Sequence, residues 1–361
     1  MDKAGSQSPP TGRGRIASLD EFRGYTVVGM LFVNFIGGFT VMPTVLKHHN
    51  TYCSYADTIM PQFFFAVGFA YRLTFLRRLE TLGVWRTSLA VLKRNFGLIL
   101  VGFVLYHLDG DYKTWNALRE LGIRGFFAKA FSREIFQTLV HIALASIWVL
   151  PVIAQGTRVR VAYLVASALL HLGLSRWFYF DFAWHRPVID GGPLGFISWS
   201  IPVLVGSLAY DAVVSGQRSA VAQFAAWALF LMGLGYGLSC LDGTFAASPF
   251  VPPTQPVNLW TMSQRTGSIS YLIFSSGFSL AVYALFVVAC DLGNLRVGIF
   301  RTFGQNALAT YILHGMVSGA IKPFVPNDAP LWYVAAGVGV YFLINYLFIR
   351  TLERDGIYLR L

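Results

Sequence analysis

The sequence predicts an all-α fold: a polytopic integral membrane helix bundle forming a single domain. Three observations predict it. The 361-residue chain is 55% hydrophobic and only 12% charged, whereas soluble domains carry about 25% charge. Its mean hydropathy is +0.56. Near-continuous apolar stretches of about 20 residues, the length that crosses a bilayer, recur ten times along the chain.

Residues 1–17 open with "MDKAGSQSPPTGRGR", polar and rich in Pro, Gly and Ser. That composition reads as a disordered cytoplasmic tail without a secretory signal. The ten spans then follow within 18–361 at 23–46, 56–76, 87–108, 136–155, 159–178, 194–214, 219–241, 268–290, 300–321 and 331–351. Ser18 and Glu21 stand ahead of the first span at capping-box spacing. The connection 109–135 alternates in charge and suits a short interfacial helix. The connection 242–266 contains "SPFVPPTQPVN", which the prolines stiffen into an extended segment.

With ten spans, 18 of the 28 Lys and Arg residues fall on the side that holds both termini. Basic residues collect on the cytoplasmic face, so both termini are expected there. The net charge of +11 then belongs to topology and does not point to nucleic acid. The lipid bilayer is the expected partner, in the inner membrane if the protein is bacterial. Cys53, Cys240 and Cys290 lie far apart, without metal-ligand spacing, and read as packing residues. The run "AAGVGVYF" at 335–342 suits close helix packing, either inside the bundle or at a homodimer seam.

Polar groups in or beside apolar spans disfavour insertion and therefore invite a functional reading. Asn34 lies midway along the first expected span; it serves equally well as an interhelical hydrogen-bond partner or as a site residue. His141, His171, His314 and Asn306 read first as packing residues. His48 and His49 differ, because they sit at an aqueous rim just before the second span, with Asp57 nearby. A neutral imidazole there can act as a general base, and a carboxylate can orient it. No third metal ligand stands at suitable spacing, so no metal is expected. Arg72, Arg77 and Arg78 sit at the opposite end of the second span. They act there either as topology anchors or as an anion site.

Six blocks resemble the transmembrane acetyltransferases of the heparan-α-glucosaminide N-acetyltransferase family. "RIASLDEFRGYTVVGMLFVN" carries Arg15, Ser18, Asp20, Arg23, Gly24 and Asn34 at the family's positions. "ADTIMPQFFFAVGFA" carries Ala56, Asp57, Pro61, Phe63, Phe65 and Gly68. "LKRNFGLILVG", "FQTLVHIALAS", "VNLWTMS" and "FGQNALATYIL" follow in the same order, so the likeness spans residues 15 to 315.

The resemblance implies a function: acetyl passes from cytoplasmic acetyl-CoA to an acceptor on the far side, a sugar or glycan. It implies that Lys47-His48 matches the family's K-H pair. The chain continues "HNTYCSYAD" without the family's W-N-G, so either His48 or His49 fills the reacting position. Asn34 is expected to stabilise the thioester oxygen and Asp57 to orient the imidazole. Arg23, Arg72, Arg77, Arg78, Lys93 and Arg94 are the expected phosphate partners of CoA. The alternative is a transporter or carrier for a sugar-like or lipid-linked substrate, using the same polar groups without acyl transfer.

Overall fold

The structure, a computed structural model, describes residues 16–107, 113–130, 135–186, 188–241, 243, 249–252 and 256–359. These residues form helices and connecting turns, with no strand among them. The helices are α1 (Ala17–Ile36), α2 (Tyr55–His107), α3 (Trp115–Ala130), α4 (Thr138–Val149), α5 (Thr157–Leu174) and α6 (Phe180–His185). They continue with α7 (Gly195–Ser215), α8 (Gln217–Ser239), α9 (Ile269–Phe286), α10 (Gly298–Gln305), α11 (Ala307–Ile321) and α12 (Leu331–Arg354). Six helical stretches are long and apolar enough to cross a membrane: 55–106, 157–185, 192–215, 217–239, 269–292 and 331–354. The described residues therefore form an all-helical bundle, six stretches of which have the length and apolarity of membrane spans.

Several expected boundaries change, each for a local reason. The first span, expected at 23–46, ends at Ile36, because Gly37, Gly38 and Pro43 interrupt the helix. The spans expected at 56–76 and 87–108 belong to one helical stretch broken at Gly83, where φ is 73° and ψ is 172°. A straight helix of 53 residues would run about 80 Å. Instead the chain reverses at Gly83, since Arg94 on the second arm lies beside Tyr71 and Arg78 on the first. The span expected at 300–321 splits at Asn306 (φ −117°, ψ 40°) into α10 and α11. The span expected at 136–155 yields only the 12-residue α4. The helix expected within 109–135 forms as α3. The disordered tail expected for 1–17 falls, up to residue 15, outside the described residues; Ala17 already opens α1.

The capping box expected at Ser18 and Glu21 is also replaced. Ser18 is buried inside α1, and its N–H donates to Asp291 Oδ1 at 3.0 Å. Its hydroxyl donates to Asp291 Oδ2 at 2.5 Å and lies 3.0 Å from the Tyr283 hydroxyl. A carboxylate 273 residues away thus does what a local side chain would ordinarily do.

The core lies between α2, α4, α7, α8 and α9. Two glycines bring α2 and α7 together. A Cβ on Gly68 would fall 1.9 Å from the Val203 carbonyl oxygen, and one on Gly206 would fall 2.0 Å from that of Phe65. Only backbone fits there, the small-residue packing that helices use in lipid. The contact sets the start of α2 against the turn that leads into α7, and both supply the site.

Farther along the first arm of α2, toward Gly83, Arg72 is buried. Its Nε and Nη2 donate to Asp211 on α7 at 3.2 and 3.3 Å, and its Nη1 to the Ile153 carbonyl. Arg160, also buried, donates to the same carboxylate and to Ser207 Oγ at 2.9 Å. Two guanidiniums thus share one acid at the junction of α2, α5 and α7.

Candidate functional site

The site begins with a capping box at the start of α2, not at Ser18 and Glu21 of α1 where one is expected. Ser54 precedes α2, and its Oγ accepts the Asp57 N–H at 3.2 Å. Asp57 Oδ2 accepts the Ser54 N–H in return at 2.9 Å. The cap fixes the Asp57 carboxylate, which is 1% exposed. Pro61, one turn on, has no N–H to offer the Asp57 carbonyl. That carbonyl instead accepts the Tyr271 hydroxyl from α9 at 2.6 Å. Helix start, proline and tyrosine together hold Asp57 in one place.

His48 donates from Nδ1 to Asp57 Oδ1 at 2.8 Å. Because a carboxylate only accepts, the proton sits on Nδ1 and Nε2 is left for chemistry. The side chain is 43% exposed although the carboxylate that holds it is buried. Burial pulls the His48 pKa down, but the hydrogen bond and charge of Asp57, with Asp190 and Gln264 behind them, carry it above the ordinary 6.5. His49 is placed differently. Its backbone N–H donates to Asp57 Oδ2 at 3.2 Å, but its ring faces the Thr44 carbonyl at 2.8 Å and stacks on Tyr52 at 4.2 Å. Between the two candidate histidines, only His48 presents its imidazole to the carboxylate.

Asn34 makes no hydrogen bond to either histidine. It is exposed in the last turn of α1, and its carbonyl accepts Lys322 Nζ at 3.1 Å. Other groups, which the sequence reading passed over, stand around His48. Gln264 donates from Nε2 to Asp190 Oδ1 at 2.7 Å. Asp190 is 2% exposed and sits in the turn 188–192 ahead of α7 with φ 57°. Burial raises its carboxyl above the usual range, against opposing pulls from His141, Gln264 and His48. Its carbonyl accepts the Trp199 indole N–H at 2.7 Å. His141 on α4 holds the next carbonyl but one, that of Gly192, at 3.0 Å. Tyr106 from the second arm of α2 and Tyr311 from α11 are hydrogen-bonded to each other, and both lie near Asp190. The "DGGPLG" turn and the "SQRTG" that extends the "VNLWTMS" block carried a signal: polar residues flanked by turn glycines between apolar runs.

The six basic residues expected to hold phosphate do not stay together. Arg72 is committed to Asp211. Arg77 and Lys93 are exposed, on opposite arms of α2. Arg23, Arg78 and Arg94 do converge, close enough for each of the other two to press on the charge of Arg94. Beside Arg94, Tyr71 Oη and Asn95 Nδ2 are buried without a hydrogen-bond partner among the described residues. Three cations beside orphaned polar atoms suit an anion with several oxygens.

Two sites thus lie at opposite ends of the first arm of α2: a carboxylate-held imidazole and a guanidinium cluster beside the Gly83 turn. From Asp57 to Arg78 along that arm is about 32 Å. Fold and site define a membrane-embedded helix bundle with a His–Asp pair. No family model and no curated protein matches the chain.

Proposed function

We propose that the chain is a membrane acyltransferase that moves acetyl from cytoplasmic acetyl-CoA to an extracytoplasmic acceptor, a sugar or glycan. One observation carries the reading: His48 Nδ1 is held by a buried, capped carboxylate while the imidazole side chain stays 43% exposed, leaving Nε2 without a hydrogen-bond partner among the described residues. A base arranged in this way suits proton abstraction. The six block likenesses supply the acyl-transfer chemistry. In this reading the two arms of α2, with α1, α4 and α11, raise the six spanning stretches to ten crossings. Both termini then lie in the cytoplasm, in the inner membrane of a bacterium.

His48 Nε2 takes the proton of an acceptor amine or hydroxyl as that atom attacks the thioester carbonyl. The C–S bond breaks, and the CoA sulfur leaves with the proton held on Nε2. In the two-step variant Nε2 itself takes the acetyl group first and then passes it on. The CoA phosphates lie on Arg23, Arg78 and Arg94. Tyr25, bonded to Tyr55 at 2.7 Å, and the buried Gln62 provide polar contacts between α1 and α2 for the arm that connects the two ends.

The test incubates purified protein with acetyl-CoA and a panel of amino sugars and amines, following release of the CoA thiol. Release that disappears in His48→Gln is the expected result; no release with any acceptor, together with no acetyl-CoA binding, overturns the reading. Arg94→Gln weakens acetyl-CoA binding by about 10–100-fold, the worth of a hydrogen bond to a charged group. Lys93→Gln leaves binding within about threefold. Equilibrium binding of labelled acetyl-CoA separates them.

The pH dependence follows from His48. It must be neutral to accept a proton, so the rate rises with pH through a midpoint above 6.5. Asp57→Asn removes both the charge and the enforced tautomer. The midpoint falls, and kcat/KM drops by about a thousandfold or more. A pH–rate profile of the two proteins reads both effects.

A further inference from the structure

We propose that α3 is a surface anchor: it lies along an anionic bilayer on the His48 face of the bundle, with its apolar side in the acyl boundary and its arginines among the headgroups. The proposal does not rest on acyl transfer.

Geometry places α3 at that face. The second arm of α2 ends at His107, and its Gly102 lies against the start of α4, where a Cβ would fall 3.0 Å from Val140 Cγ2. The first residue of α4, Thr138, donates from Oγ1 to Met60 Sδ at 3.8 Å. Met60 stands three residues beyond Asp57, so both chain ends that hold α3 lie at the level of the His48–Asp57 pair. Seven residues join His107 to Trp115, and seven join Ala130 to Thr138. At about 3.5 Å per residue, α3 stays within about 28 Å of that rim.

The helix carries an apolar side that the bundle does not cover. Trp115 is 70% exposed and Ile123 76%, with Leu118 and Phe127 exposed as well. No helix packs along α3 among the described residues. At Gly122, φ is 53° and ψ is −179°, a conformation that glycine accepts readily. The break divides α3 into two arms and shifts the helical phase between them, so each arm is amphipathic on its own. In the first, Trp115, Leu118 and Leu121 recur at three-residue spacing on one side, opposite Asn116, Arg119 and Glu120. In the second, Ile123 and Phe127 share a side and Arg124 stands off it.

The chemistry favours lipid as the cover. Tryptophan, leucine and phenylalanine on one side with arginine on the other is the pattern of helices that lie in a membrane interface. Arg119 and Arg124 outnumber Glu120, which suits anionic headgroups. A second copy of the chain fits less well. A two-fold interface would set the same arginines against each other, on a chain that already carries a net charge of +11.

The experiment places single cysteines in the full chain reconstituted into vesicles, each labelled with a fluorophore. Cys53 and Cys290 are buried, and Cys240→Ser removes the remaining thiol. Leu118→Cys and Ile123→Cys report the apolar side, Asn116→Cys the polar side. Quenchers are a doxyl group on lipid acyl chains and iodide in the water. The labels at 118 and 123 are expected to be quenched by doxyl lipid and shielded from iodide, and the label at 116 the reverse. Adding phosphatidylglycerol to phosphatidylcholine vesicles raises the docked-to-free ratio at 123 by about fivefold for each arginine that meets a headgroup. Arg119→Gln combined with Arg124→Gln abolishes that gain. Iodide reaching 118 and 123 as readily as 116 overturns the proposal, because α3 then stands in water. Labels at 118 and 123 shielded from both quenchers also overturn it, in favour of a second copy. An equal ratio in the two kinds of vesicle overturns the anionic assignment. None of these readouts needs turnover, so they stand whether or not acetyl-CoA is the donor.

Discussion

In the proposed acyltransferase, His48→Gln lowers acetyl transfer by about a thousandfold, while His49→Ala stays within about threefold of the native protein. The first number is the usual worth of a general base. The contrast comes from geometry, since both histidines border Asp57. His48 meets the carboxylate through its ring at 2.8 Å, whereas His49 meets it only through its backbone N–H at 3.2 Å. Alanine at 49 keeps that N–H and removes only the stack on Tyr52 and the bond to the Thr44 carbonyl. Thiol release measured at saturating and limiting acetyl-CoA separates kcat from KM. The loss in His48→Gln falls on kcat, with acetyl-CoA binding retained, because the guanidinium cluster lies at the far end of the first arm of α2. If both variants keep native rates, the imidazole has no part in the reaction.

Asp211→Ala destabilises the folded protein by about 3–5 kcal/mol, the range for a buried ion pair left with one partner. Here one carboxylate serves two guanidiniums, those of Arg72 and the fully buried Arg160. Removing it leaves two cations at the junction of α2, α5 and α7 with only Ser207 and two backbone carbonyls as partners. Denaturant unfolding in detergent measures the effect. Adding Arg72→Met to Asp211→Ala recovers part of the loss, because one of the stranded cations goes with it. Arg72→Met alone leaves acetyl-CoA binding within about threefold, in contrast to Arg94→Gln. An Asp211→Ala protein as stable as the native one would show that the pair holds nothing together.

What could be read from the residues alone depended on how local its cause was. Helices declare themselves through runs of apolar residues, and most of the expected spans lie on helices. Their ends were less legible. Gly83 turns one helical stretch back on itself, and Asn306 splits another, yet single residues of either kind also occur within unbroken helices. His48 and Asp57 were within reach because they lie nine residues apart beside a span. The choice between His48 and His49 was not, because adjacent side chains point apart and only the fold says which meets the carboxylate. Asp190 and Gln264 reach His48 from loops far along the chain, and no periodicity announces that. The basic residues show the same limit. Six looked alike in sequence; in the fold one is neutralised by Asp211, three converge, and Arg77 and Lys93 stand on opposite arms of α2.

The bond between Ser18 and Asp291 sets an order of assembly. The amino end of the first helix leaves the ribosome with its amides open, and the acid that closes it emerges 273 residues later. At about 5–20 residues per second the wait is on the order of tens of seconds. Until then the amino end of α1 lacks its cap, and translation must pass residue 291 before that end can lock.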